Sequence, residues 1–181
     1  MADDLTVRPI GADEWEQVRD LRLAALRDPD ARIAFYTRYD EAAARTDQQW
    51  RENALAWSTD APEPTGQQVV ATTADGVWVA SVVCMVQRAG EPEFGGGTIP
   101  VDRGQLLGVY VDPAHRGRGL LGRLTEAAAD WARDQGLGVL SLWVHEDNAR
   151  ARAAYARLGF QPTGVRAVEA MGPELQMERS L

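Results

Sequence analysis

Residues 106–124, LLGVYVDPAHRGRGLLGRL, set a strand, a basic glycine turn and a helix N-terminus in immediate succession. Residues 105–111 form an apolar run of strand length, closed by Pro113. From 117 to 134, Leu120, Leu124, Ala127, Ala128 and Trp131 recur at helical spacing and give one face an apolar stripe. The first turn of a helix leaves backbone N–H groups without intrahelical partners, and the macrodipole adds positive potential there. Gly117 and Gly119 carry no side chain to keep an anion from those amides, and Arg116 and Arg118 add charge. The chemistry suited to such a turn is a phosphate or a pyrophosphate.

Residues 117–122, GRGLLG, also satisfy G-x-G-x-x-G, the dinucleotide fingerprint. That fingerprint wants its first glycine directly after the strand, whereas DPAHR intervenes here. It also wants an acid about twenty residues further on, where this chain has the apolar LGVLSLW. A nicotinamide or flavin site is therefore the weaker reading. A glycine turn with no ligand leaves the flanking arginines unexplained.

A second informative stretch is 142–160, LWVHEDNARARAAYARLGF. Asn148 and Tyr155 are seven residues apart and share a helix face. Taken singly, Asn148 reads equally as a helix N-cap and Tyr155 as core. Together the two stretches resemble motifs A and B of the GNAT superfamily of N-acetyltransferases. Arg116, Gly117, Arg118 and Gly119 follow the first motif, Q/R-x-x-G-x-G/A. Asn148, Ala151, Tyr155, Gly159 and Phe160 fall on the second, N-x-x-A-x-x-x-Y-x-x-x-G-F. Leu121 departs, standing where the family usually has Gly or Ala, with Gly122 one position late.

The resemblance implies an acyl-CoA N-acyltransferase fold: an α/β mixed sheet flanked by about four helices, in one domain over 1–181. It implies acetyl-CoA as acyl donor, with the pantetheine arm beside strand 105–111. The implied coenzyme-binding residues are Val109, Tyr110, Val111, Arg116, Gly117, Arg118, Gly119, Leu120, Leu121, Asn148 and Tyr155. Gly108 reads equally as a bulge that would open a slot for the thioester and as a packing glycine. A backbone N–H near Val109 would meet the developing oxyanion. Tyr155 matches the family's tyrosine for protonating the departing thiolate.

Working outward, 6–9 reads as a first strand and Asp13 as the cap of a first helix, followed by a second helix over 40–57. Residues 69–73 and 77–87 flank Asp75-Gly76, a tight hairpin signal. Residues 139–144 form a buried strand, 148–158 a short helix ended by Gly159, and 160–167 and 175–179 the last two strands. The Gly/Pro-rich stretch 89–104 reads as a mobile loop.

Composition narrows the partners. The net charge of −8 argues against nucleic acid; it reads first as a device for solubility and second as a lean toward a positively charged acceptor. All 19 basic residues are arginine. Neither an apolar membrane span nor a signal peptide is visible; the start, MADDLTV, is acidic, so the expected location is cytoplasmic. Cys84, the single cysteine, lies in an apolar run and reads as a core thiol, and two isolated histidines suggest no metal site. A homodimer is within expectation for proteins of this type.

Direct attack on a thioester needs a neutral amine, and a lysine-like amine is more than about 99.9% protonated at neutral pH. A base is expected. Family members often place a glutamate near the start of the central strand, where this chain has Gln105, which cannot accept a proton. Glu146, Asp40, Glu41 and His145 are the candidates. The alternative function is a non-catalytic acyl-CoA-binding or sensing module of the same fold.

Overall fold

The computed structural model describes residues 5–181. Its strands are β1 (Thr6–Pro9), β2 (Gly66–Thr72), β3 (Trp78–Gln87), β4 (Arg103–Val111), β5 (Val139–His145), β6 (Gln161–Glu169) and β7 (Gly172–Ser180). The helices are α1 (Trp15–Ala25), α2 (Tyr39–Ala43), α3 (Asp47–Ala56), α4 (Leu120–Asp134) and α5 (Ala149–Arg157). All seven strands join one mixed sheet in the order β1-β2-β3-β4-β5-β7-β6. Neighbours are antiparallel except β4 and β5, which α4 connects as a crossover. No helix among the described residues is long and apolar enough to cross a membrane.

Three expected elements differ in detail. The helix read over 40–57 divides into α2 and α3. Thr46 starts a new helix there by accepting from Gln49 N–H, and the Gln49 side chain accepts from Thr46 N–H in return. Asp13 does not cap α1; the Glu14 carboxylate accepts from Gly11 N–H at 2.8 Å instead. α4 begins at Leu120 rather than 117, because Gly117 and Gly119 adopt φ of 75° and 77° and cannot be helical.

The centre of the sheet has two unlike faces. Strand alternation puts Cys84, Leu106, Leu140, Leu142 and Met177 on one face, where they pack with Leu124, Ala128 and Ala132 of α4. The other face of the same strands carries Arg103, Gln105, Ser141, Trp143, His145, Glu174 and Gln176. Over its β1–β4 half, α1 and α3 form a second core around Trp50, Leu21, Val70 and Tyr110.

The loop read as mobile is tied to this polar face. Arg103, fully buried, ion-pairs with Glu93, donates to Glu178 at 3.1 Å and to Gln87 at 2.9 Å. Phe94 packs edge-on against Trp143 at 5.1 Å between ring centroids and against Tyr36 at 5.5 Å. The composition marks the loop, while a buried arginine outside its Gly/Pro-rich part decides where it lies.

Candidate active site

The two central strands part company early. β4 and β5 pair only at Gly104–Leu140, Gln105–Ser141 and Leu106–Leu142. On the β3 side, Leu107 faces Val83 and Tyr110 faces Ser81, so Gly108 and Val109 together oppose Val82. Gly108 takes φ of 61° in this bulge. Beyond Leu106 the edge of β4 toward β5 has no strand partner, and a cleft of about 770 Å³ opens there.

Val109, Tyr110 and Val111 line this cleft, with Arg116, Gly117, Gly119, Leu120 and Leu121 at its head and Asn148 and Tyr155 along the α5 wall. Arg118 is exposed and lies outside the lining. A Cβ built on Gly117 or Gly119 would meet nothing within 4 Å, so the space over the turn is open. Open space over bare amides, beside an unpaired strand edge, fits a pyrophosphate and an extended arm. Leu121 packs against the main core.

Two side chains are committed to the scaffold. Arg116 Nε donates to Val111 O at 2.9 Å and its guanidinium ion-pairs with Asp28 of the loop after α1. Asn148 caps α5, accepting from Ala151 N–H at 3.1 Å. Tyr155 is buried against Phe160, ring centroids 5.9 Å apart, and burial pushes its phenol above the ordinary value of 10.

The other end of the cleft is polar and aromatic. Glu174 on β7 lies opposite His145 on β5, is 4% exposed, and accepts from the Tyr36 hydroxyl. Burial raises its pKa, with Tyr36 and His145 acting in the opposite sense. Gln105 Oε1, Ser141 Oγ and Trp143 Nε1 on this face are buried without a hydrogen-bond partner among the described residues. Gln105 and Trp143 line the cleft.

Of the residues considered as bases, His145 is occupied at both nitrogens. Its Nδ1 accepts from Asp147 N–H at 3.1 Å, and its Nε2 faces Met171 O at 2.9 Å, which fixes the Nε2–H tautomer. Glu146 is partly exposed and paired with Arg166, whose hydrogen bond holds its pKa low. Asp40 and Glu41 sit in the exposed first turn of α2, away from the cleft. Glu174 went unnoticed in the sequence, where GPEL offers no signal; only the β5–β7 register turns it into the cleft.

A bulged central strand, a splayed parallel pair and an amide-rich turn at their head define an acyl-CoA-binding class of fold. The profile of the acetyltransferase (GNAT) family matches residues 15–160, and the chain belongs to that family. Mycothiol acetyltransferase of Beutenbergia cavernae is 44% identical over 64 residues, which are 35% of this chain and 22% of that protein. Streptothricin acetyltransferase of Streptomyces lavendulae is 40% identical over 73 residues, 40% of this chain and 39% of that one. The match thus spans well under half the length of either relative. Among solved structures, a GNAT-family acetyltransferase from Streptococcus pneumoniae superposes with a TM-score of 0.76 at 17% identity, covering 98% of this chain and 99% of that one. The PaiA N-acetyltransferase of Thermoplasma acidophilum, solved with coenzyme A, gives 0.71 at 12% identity, with 98% and 99% coverage.

Proposed function

We propose that this chain transfers the acetyl group of acetyl-CoA directly to a primary amine of a small molecule or peptide, with Glu174 as the proton acceptor. The observation that carries it is the placement of the buried Glu174 carboxylate in the same cleft as the phosphate turn and Tyr155. Acetyl-CoA supplies the acyl group and departs as the free thiol. The Gly117–Gly119 turn and the first amides of α4 would hold the pyrophosphate, and the open edge of β4 at Val109 and Val111 would pair with the pantetheine arm. Val109 N–H would donate to the thioester oxygen. Glu174 takes the proton from the ammonium, freeing the nitrogen lone pair to bond the acyl carbon as the C–S bond breaks. Tyr155 then gives its proton to the sulfur, and the second proton, shed by the acylated nitrogen as the amide forms, returns to the tyrosine through solvent.

A carboxyl whose pKa is raised is the better proton acceptor near neutrality, because catalytic efficiency follows the match between pKa and working pH. The aromatic wall of Tyr36, Phe94 and Trp143 beside it suits a cation with an apolar stem. A non-catalytic acyl-CoA-binding module would leave Glu174 and Tyr155, which line the same cleft, without a use. The test is Glu174→Gln with thiol release as readout against an amine library. Turnover should fall about a hundredfold or more, and the acidic limb of kcat/KM, set by a carboxyl above its usual range, should disappear. A variant with native turnover and an unchanged pH profile would remove Glu174 from the mechanism.

A further inference from the structure

We propose that Arg22 receives a carboxylate of the acceptor, so that the substrate is an amine that also carries a carboxylate group. The inference rests on the transferase reading of the cleft and deepens it by naming the acceptor's class.

Arg22 lies on α1 and lines both the main cleft and a smaller cavity of about 250 Å³ beneath α1 and α3. Its guanidinium sits 4.5 Å from the centroid of the Phe35 ring. No carboxylate of the described residues is paired with it, whereas Arg116, Arg150, Arg103 and Arg166 hold Asp28, Asp30, Glu93 and Glu146. The charge that acts on it is another cation, Arg45, which lines the same smaller cavity. Burial, then Arg45, lower its pKa to about 10, which still leaves it charged at neutral pH.

Arg22 is half-buried, and a cation partly drawn out of water without a counter-charge pays a desolvation cost that an incoming anion offsets. The planar guanidinium offers parallel N–H donors matched to a carboxylate. Its position is also informative. Leu107 and Gly108 line both cavities with Arg22, so the guanidinium borders the bulge beside which the acyl group would lie. Phe35, stacked on Arg22, is followed directly by Tyr36, which bonds Glu174. One dipeptide therefore spans from the cationic subsite to the anionic one. An acceptor seated along it would turn its ammonium toward Glu174 and its carboxylate toward Arg22. The net charge of −8 belongs to the surface as a whole and does not set the sign of this pocket.

The test follows arginine Nε–H resonances by NMR while butyrate is added to the full chain with coenzyme A present. The Arg22 signal is the one missing from Arg22→Gln. A saturable shift of that signal with butyrate, absent with butyramide, is expected. This readout needs no turnover, so it fails or succeeds separately from the transferase reading. In turnover, amines offered in matched carboxylate and carboxamide forms should differ by about tenfold or more in kcat/KM in favour of the carboxylate. The ratio should fall to about threefold or less in Arg22→Gln with the KM for acetyl-CoA unchanged. Arg22→Lys keeps the charge, loses the fork and should retain part of the preference; it serves if the glutamine variant does not fold. No butyrate-dependent shift, or an Arg22→Gln defect equal for both forms, overturns the proposal.

Discussion

The carboxylate of Asp28 is ion-paired with the guanidinium of Arg116, 88 residues further along the chain. The Asp28 side chain is 5% exposed, and Arg116 is anchored a second time on Val111 O. Arg116 thus braces the phosphate turn against the loop that follows α1. Burial opposes ionisation of Asp28, but the Asp30 backbone N–H and Arg116 outweigh it and hold its pKa below 3.8. A carboxyl whose folded pKa is depressed contributes stability above its unfolded pKa, and loses it as pH falls through the folded value. Asp28→Asn is therefore expected to cost about 1–3 kcal/mol at neutral pH. The difference in Tm from the native chain should shrink as pH falls below the ordinary carboxyl range, where native Asp28 also protonates. Thermal melts across pH check this, and a constant difference would mean that the pair is not the source.

The turn itself is tested by two alanines that cost the same strain in different places. Gly119 and Gly136 have φ of 77° and 75°, and a Cβ at either meets no atom within 4 Å. Each substitution should cost about 1–2 kcal/mol, because an L side chain disfavours the left-handed region. Only Gly119→Ala should also weaken acetyl-CoA binding, by about tenfold or more, because its methyl intrudes over the amides at the head of α4. Calorimetric titration of both variants separates the two effects. Equal coenzyme affinity would move the phosphate away from this turn.

The parts of the site that were legible in the sequence are local ones. Gly117, Gly119, Asn148 and Tyr155 lie within two short stretches whose spacing already implies a turn and a helix face. Gly108 is open in the sequence to either a bulge or close packing, and its φ of 61° in the β3–β4 register shift decides for the bulge. What stayed hidden depends on register and long-range contact. Glu174 faces the cleft because β7 pairs with β5 in one register and not its neighbour, which would have turned it to the other face. The 89–104 loop packs because Arg103, Glu93 and Phe94 find partners on three different elements. Arg22 carries no signal in the sequence; its partial burial without a paired carboxylate among the described residues exists only once Phe35 and β4 close around it.

Glu174 should show a trade between activity and stability. Its folded pKa is raised from 4.5, chiefly by burial, so its ionisation costs the folded state as pH rises through that value. The sign is opposite to that of Asp28. Glu174→Gln should leave stability nearly unchanged below the ordinary carboxyl range and raise Tm at neutral and alkaline pH, while turnover collapses. Melts at both pH values with parallel assays would check it. A Tm that falls at alkaline pH would mean that the charged form is stabilised by its neighbours and is no strained base.

Cys84 has its thiol pushed up to about 12 by burial and lies in the core beneath α4. A thiol held so far above its ordinary value contributes almost no thiolate at assay pH. Disulfide-type thiol reagents should leave it unlabelled in the native protein and label it at the rate of unfolding. Thiol-release assays of coenzyme A then carry no background from the protein. Rapid labelling of the native chain would show that the sheet opens at β3 and β4.

Tyr155 can act as an acid only if its hydroxyl holds its proton until the sulfur leaves. Burial secures that by holding the phenol above 10, so it remains protonated throughout the working range. Its ring packs on Phe160, and both that contact and the helix survive replacement by phenylalanine. Tyr155→Phe should therefore fold normally and bind acetyl-CoA with native affinity. Its kcat should fall by about tenfold or more, because an acid positioned at a leaving group contributes at least that much. Amines that differ in basicity should all suffer alike, since the lost step is departure of the thiolate and not attack. A native kcat in steady-state assays would leave Tyr155 a packing residue of the α5 wall, and the sulfur would have to take its proton from elsewhere.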